Sequence, residues 1–203
     1  RGKDTFFYRH PLGSAIGISK KRFADVAWLY TDSSMKFAYA IQGPVQPVKD
    51  SSARVSLNDF LSQLPPVAGV NRKDRRMPVR WKMQTAVGGG PVLLQNGEIK
   101  VTNNEEIKFA GKAINDKHPR TAMGYTRDNK LIILVVEGRN TGKAEGATLT
   151  QLAQVLKDLG CREALNLDGG GSSCMLVNGK ETIRVSDSSG QRPVPAVFII
   201  RGK

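Results

Sequence analysis

The sequence predicts one α/β (α+β) domain, a mixed β-sheet core with few helices, and three observations lead there. Short apolar, β-branched runs recur along the chain between clusters of Gly, Asn and Pro, which is the patterning of strands and turns. Two Asn-Gly pairs, Asn96-Gly97 and Asn178-Gly179, lie between such runs, where that dipeptide favours a tight hairpin. Only the stretch from Thr148 to Leu159 combines a capping pair with apolar residues at helical spacing. At 203 residues, 39% of them hydrophobic, one domain spanning 1–203 with a sizeable core is expected.

The elements follow in order. The chain opens Arg1-Gly2-Lys3-Asp4, which resembles neither a start nor a signal peptide, so a processed or trimmed chain is expected. Ser14 to Ile18 and Ala24 to Tyr30 read as strands joined by a basic turn at Lys20-Lys21-Arg22. Residues 43–80 turn to Pro, Ser, Asn and charge and read as a surface excursion. Within it, Val55 to Leu61 forms one short helix capped by Ser56 or Asn58. Strand chemistry returns from Trp81 to Lys100. After a turn at Asp128-Asn129, Leu131 to Val136 is a continuous β-branched run, expected as a central strand buried on both faces. Thr148 and Gln151 make the capping box, Leu149, Leu152, Ala153, Leu156 and Leu159 the apolar face, and Gly160 the helix stop. Ala164 to Asp168 is a strand, Cys174 to Val177 and Thr182 to Val185 a hairpin, and Ala196 to Ile200 a last strand.

Composition narrows the function classes. No apolar run is long enough to span a membrane. With 31 Lys+Arg against 18 Asp+Glu, a formal charge of +13 favours polyanionic partners or a solubilising surface. The positives are scattered, and the densest group, Arg72-Lys73-Asp74-Arg75-Arg76, has no interleaved aromatics, so no nucleic-acid partner is expected. Cys161, Cys174, His10 and His118 lack zinc-site spacing, so neither metal nor cofactor is expected, and both cysteines read as small apolar residues.

Two glycine runs carry the chemistry. Asn166-Leu167-Asp168-Gly169-Gly170-Gly171-Ser172-Ser173 delivers a carboxylate into three glycines and two hydroxyls, a polar cradle for a sugar hydroxyl, a phosphate or a metal. A tight turn with Asp168 bonded to its own loop is the plain alternative. Gly88-Gly89-Gly90-Pro91 is a second such loop, and two of them suggest that they line one cleft, with Gly89 and Gly90 as candidates for binding substrate or phosphate. The first run precedes an apolar hairpin strand, whereas a nucleotide-binding glycine loop must open a helix. The serines also miss the Gly-x-Ser-x-Gly spacing of a hydrolase elbow. Glu137-Gly138-Arg139 closes the apolar run Leu131 to Val136 with a carboxylate and a guanidinium, a functional pair or an internal salt bridge.

Five separated motifs then agree in order and spacing: His118-Pro119-Arg120-Thr121-Ala122, Glu137-Gly138-Arg139, Thr148-Leu149 with Leu152-Ala153, Asn166 to Ser173, and Arg192-Pro193-Val194-Pro195. In these the chain resembles the phosphodiester glycosidase family, over roughly residues 81–203 and more loosely over 11–40. Glu137 stands where that family usually has Asp, and Cys174 where Thr is common. Phe6-Phe7 lacks the family's usual upstream context, so that segment is expected to be absent.

The resemblance implies hydrolysis of a sugar-1-phosphodiester such as an N-acetylglucosamine-1-phospho-sugar, releasing the sugar and leaving a phosphomonoester. It also implies an extracytoplasmic location, with a phosphate-linked carbohydrate as the partner. Asp168, Glu137 and His118 become catalytic candidates, with the division of labour between Asp168 and Glu137 left open and His118 as acid or base. Arg120, Arg139 and Arg192 become candidates for gripping phosphate. Thr121, Asn166, Gly169, Gly170, Gly171, Ser172 and Ser173 become candidates for holding phosphate or sugar oxygens. The competing readings are a non-catalytic module for anionic glycans and a metal-dependent phosphodiesterase using Asp168 and Glu137 as ligands.

Overall fold

Short apolar strands, most of them covered over several successive residues, produce two sheets packed on a shared core. The computed structural model of the chain describes residues 12–30, 37–44, 78–106, 109, 115–194 and 196–202. Strands β1 (Leu12–Ile18) and β2 (Ala24–Tyr30) form a hairpin, β3 (Tyr39–Ile41) and β4 (Val79–Arg80) extend it on one side, and β5 (Thr85–Gly89) on the other, giving the order β4-β3-β2-β1-β5. The second sheet contains β6 (Val92–Gln95), β7 (Glu98–Ile99), β8 (Arg120–Thr126), β9 (Leu131–Val136) and β10 (Cys161–Asn166), in the order β7-β6-β10-β8-β9. A two-residue ribbon, β11 (Leu176–Val177) with β12 (Lys180–Glu181), completes the strands. Every ladder among the described residues is antiparallel.

Ile16, Val26 and Trp28 of the first sheet meet Val92, Met123 and Leu165 of the second, closing a sandwich. The other face of the second sheet presents Leu93, Leu94, Ala122 and Ala164 to Leu149, Leu152, Ala153 and Leu156 of helix α2 (Leu149–Asp158). Each such fully buried Leu contributes about 1.5–3 kcal/mol of transfer free energy, so this one helix carries much of the outer layer. Its start is the expected capping box: Thr148 Oγ1 accepts from Gln151 N at 3.1 Å, and Gln151 Oε1 accepts from Thr148 N at 3.0 Å. Its end is Gly160 at φ +81°. Cys161, on the core side just beyond, is buried, and that burial pushes its thiol up to about 11, the behaviour of a small apolar residue.

Both Asn-Gly hairpins form, with Asn96 at φ 55° and Gly97 at 84°, and Asn178 at 52° and Gly179 at 77°, the left-handed pair of a type I′ turn. The single helical turn α1 (Asn103–Glu106) ends in a buried carboxylate. Glu106 accepts from Ser14 Oγ at 2.6 Å, from Val92 N at 3.0 Å and from Thr102 Oγ1, tying both sheets together where β5 passes into β6.

Two expectations are corrected. Among the described residues, Leu131 to Val136 is the edge of its sheet, bonded only to β8, and all six residues are half-buried. Its side chains do reach a core on each face, Ile132, Leu134 and Val136 toward α2 and Leu131 and Ile133 toward the first sheet, which is why the run is apolar throughout. Ala196 to Ile200 forms no strand among the described residues; Val197, Phe198, Ile199 and Ile200 are 47–74% exposed and gain no ladder partner there. The helix expected at 55–61, the basic run 72–76 and most of the excursion lie outside the described residues.

Candidate active site

The two glycine loops meet. Gly90 N donates to Asn166 O at 2.7 Å, Asn166 N donates to Pro91 O at 3.0 Å, and Asn166 Nδ2 donates to Gly90 O at 2.9 Å and Leu167 O at 3.0 Å. Asn166 is 1% exposed, so its amide braces the loops from within; its Oδ1 has no partner among the described residues. A Cβ on Gly89 would stand 2.4 Å from Asn166 O, so only glycine admits this approach.

Beyond Asn166 the chain leaves β10 and is threaded onto the start of β8. Leu167 N donates to Thr121 O at 2.8 Å and Gly170 N to Pro119 O at 2.9 Å, and Thr121 Oγ1 donates to Ser173 Oγ at 3.1 Å. Gly170–Ser172 then makes one 3-10 turn. Asp168 is exposed at its mouth, and its carboxylate forms no hydrogen bond or ion pair with the described residues. The plain alternative, Asp168 bonded within its own loop, is therefore not the arrangement found.

The Arg139 guanidinium lies over the turn, with Nη2 3.2 Å from where a Cβ of Gly170 would be. Arg139 itself sits at φ +57°, a conformation costly for a residue with a side chain and concentrated at functional sites. The tight 139–145 loop imposes it, through Asn140 N to Ala144 O at 2.9 Å, Ala144 N to Asn140 O at 2.8 Å and Arg139 N to Glu145 O at 3.3 Å.

His118 is held through its backbone to Ala147, at 3.2 and 3.0 Å. Burial and the guanidiniums of Arg120 and Arg139 hold its imidazole below the ordinary 6.5, against a smaller opposing pull from Asp116. Arg120 is 4% exposed; Nε donates to Ala147 O at 2.9 Å and Nη2 to Asp116 O at 3.2 Å, so it stands behind the site and contributes mainly its field. Burial and Arg139 lower its pKa.

Glu137 is turned to other partners. Asn140 Nδ2 donates to Oε1 at 3.0 Å and Arg184 N to Oε2 at 3.1 Å, and these bonds hold its carboxyl below the usual carboxylate range. It thereby clips the 137–145 loop to the segment after β12.

One carboxylate was not foreseen. Asp187 Oδ2 receives Arg192 Nε at 3.1 Å and Nη2 at 3.0 Å, while Oδ1 lies 3.9 Å from Arg139 Nη1. It rests on the glycine turn: a Cβ on Gly171 would fall 2.1 Å from Oδ2. In the sequence Asp187 reads as an ordinary turn former three residues before Gly190, and Gly190 N does donate to Asp187 O at 3.1 Å. The structure thus gathers His118, Arg120, Arg139, Asp168, Arg192 and the Gly169–Gly171 turn. Among the described residues, no three His, Cys, Asp or Glu side chains converge as a metal-binding group.

The family model for phosphodiester glycosidase matches residues 38–201. A 95-residue stretch is 30% identical to mouse N-acetylglucosamine-1-phosphodiester alpha-N-acetylglucosaminidase, covering 43% of this chain and 18% of that protein. Another, of 74 residues, is 40% identical to the uncharacterized SPbeta prophage-derived protein YomE of Bacillus subtilis (strain 168), covering 36% of this chain and 11% of that one. Among solved structures, the zebrafish N-acetylglucosamine-1-phosphodiester alpha-N-acetylglucosaminidase catalytic domain, auto-inhibited by its pro-peptide, superposes with a TM-score of 0.51 at 25% identity. It covers 90% of this chain, which spans 49% of that one. A Burkholderia pseudomallei K96243 protein described as exported shares the fold, at a TM-score of 0.53 and 15% identity over 91% of this chain and 56% of its own.

Proposed function

Because the chain belongs to the phosphodiester glycosidase family, we propose that it hydrolyses the glycosidic bond of a sugar-1-phosphodiester, releasing the sugar and leaving a phosphomonoester on the other partner. The observation that carries this reading is an unpaired, exposed Asp168 beside a glycine turn overlain by guanidinium. The N-acetylglucosaminidase relatives support N-acetylglucosamine as the sugar. An extracytoplasmic location rests on the family resemblance and on the exported description of a protein with this fold.

The chemistry suits these residues. A phosphomonoester leaving group has a second pKa near ~6, so it departs with little protonation and needs cations more than an acid. Arg139 and Arg192 supply them, with Arg120 adding its field from behind; the N–H groups of Gly170, Ser172 and Ser173 are bonded to backbone oxygens, so the Gly169 N–H and the Ser172 hydroxyl are the turn's candidates for orienting oxygens. Asp168 takes the part of the carboxylate that stabilises the oxocarbenium-like centre. His118, held toward its neutral form by burial and by its cationic neighbours, is suited to accept a proton from the attacking water rather than to donate one.

The test is hydrolysis of N-acetylglucosamine-1-phospho-mannose in oxygen-18 water, comparing the natural protein with Asp168→Asn. Label in the released sugar, with turnover reduced about 10²–10⁴-fold in the variant, is the expected result. Label in phosphate would mean P–O cleavage and overturn the mechanism; undiminished turnover by Asp168→Asn would overturn the role of Asp168.

A further inference from the structure

We propose that Asp187 sets the charge preference of the site, matching it to a singly charged phosphodiester and against a doubly charged phosphomonoester. This inference rests on the phosphodiester reading above and concerns the same site. Three observations support it. First, Asp187 is bound to both exposed guanidiniums, Arg192 at 3.0 and 3.1 Å and Arg139 at 3.9 Å. Second, at 26% side-chain exposure it is more covered than Arg139 at 45% or Arg192 at 48%, so both arginines keep donors open to solvent. Third, its carboxylate is seated on Gly171, within the turn that presents Asp168, so its charge acts where a phosphate would bind.

The charge balance follows from the named groups. Arg139 and Arg192 pair with Asp187, Arg120 lies buried behind them and Asp168 is exposed in front, so three guanidiniums stand against two carboxylates and, with His118 held toward its neutral form, leave about one positive charge for the ligand. A phosphodiester carries one negative charge. The monoester left by hydrolysis carries about −1.5 to −2 at pH 7 and meets the Asp187 carboxylate as a like charge. Asp187 thereby weakens the hold on product while leaving substrate matched, the difference of affinities that defines specificity.

The experiment compares two probes that differ by one methyl and one charge, dimethyl phosphate and methyl phosphate. Their binding to the full chain at pH 8 is measured by calorimetry or as inhibition of the hydrolysis above. Asp187→Asn is expected to raise the affinity for methyl phosphate about tenfold relative to dimethyl phosphate. Gly171→Ala places a methyl where the carboxylate rests, 2.1 Å from Oδ2, and should shift the ratio the same way while retaining the Asp; it carries the test if Asp187→Asn does not fold. A merely structural role would lower both affinities together and leave their ratio unmoved. Hydrolysis by the natural protein with an unchanged ratio in the folded variants overturns this inference alone. Neither hydrolysis nor binding of either probe by the natural protein overturns the phosphodiester reading and this inference with it.

Discussion

His118 stands among positive charges, and that alone makes a prediction. An imidazole beside two guanidiniums loses its proton more readily, because its cationic form is repelled as well as poorly solvated. If the neutral form accepts a proton from water, kcat/KM is fully expressed above its pKa and falls as pH drops through it, so the acidic limb lies below the ordinary 6.5. Arg139→Gln removes one repelling charge and should move that limb upward, whatever it does to the amplitude. A pH profile of kcat/KM for both proteins checks this, and a limb that stays in place would remove His118 from the proton-accepting role. Glu137 contrasts with it: Asn140 and the Arg184 backbone donate to its carboxylate and hold its pKa below the ordinary value. Two carboxylates that looked equivalent in the sequence are thus separated by their partners.

At the scale of elements, the junction of the two sheets is made by adjacent glycines with opposite tolerances. A Cβ on Gly88 would meet only Ser14 O at 4.0 Å, whereas one on Gly89 would lie 2.4 Å from the backbone oxygen of Asn166. Gly88→Ala should therefore be neutral or stabilising by about 0.4–1 kcal/mol, by restricting the unfolded chain. Gly89→Ala should cost about 1–3 kcal/mol, because a backbone must move, and should weaken turnover by shifting the strand end that launches Asp168. Urea unfolding of both variants checks the pair. That these loops meet was legible in advance, since glycine runs mark close backbone approach, and α2 was legible from its capping box. The edge position of β9 was not: an apolar run reports that both faces are covered, and says nothing of how many neighbours share the ladder. Ala196 to Ile200 misled similarly, because β-branched composition states a preference and the partner must come from elsewhere. Asp187 and Glu106 escaped notice because their importance arises from residues distant in sequence, Arg139 in one case and Ser14 and Val92 in the other.

At the scale of the whole molecule, the inner core is apolar toward its middle and carries a carboxyl near one end. Glu163 is 6% exposed on β10, three residues before Asn166, and joins the sheets by accepting from Val26 N at 3.2 Å and Asn96 N at 2.9 Å. Burial raises it to about 7, opposed by those two bonds and by Arg162, and aided by Asp25, which is itself held by Gln42 Nε2 at 3.0 Å and Trp81 Nε1 at 2.7 Å. A folded-state pKa above the unfolded value of 4.5 means that the native form binds the proton more tightly. Its contribution is complete below 4.5 and is lost as pH rises from there through about 7, a change on the order of 3 kcal/mol across the window. Glu163→Gln cannot ionise, so its stability should be flatter between those limits, and its deficit relative to the natural protein should shrink as pH rises. Urea midpoints at pH 5 and pH 8 measure this directly. Parallel pH dependence in the two proteins would place the titration elsewhere and leave Glu163 as an ionised brace between the sheets throughout.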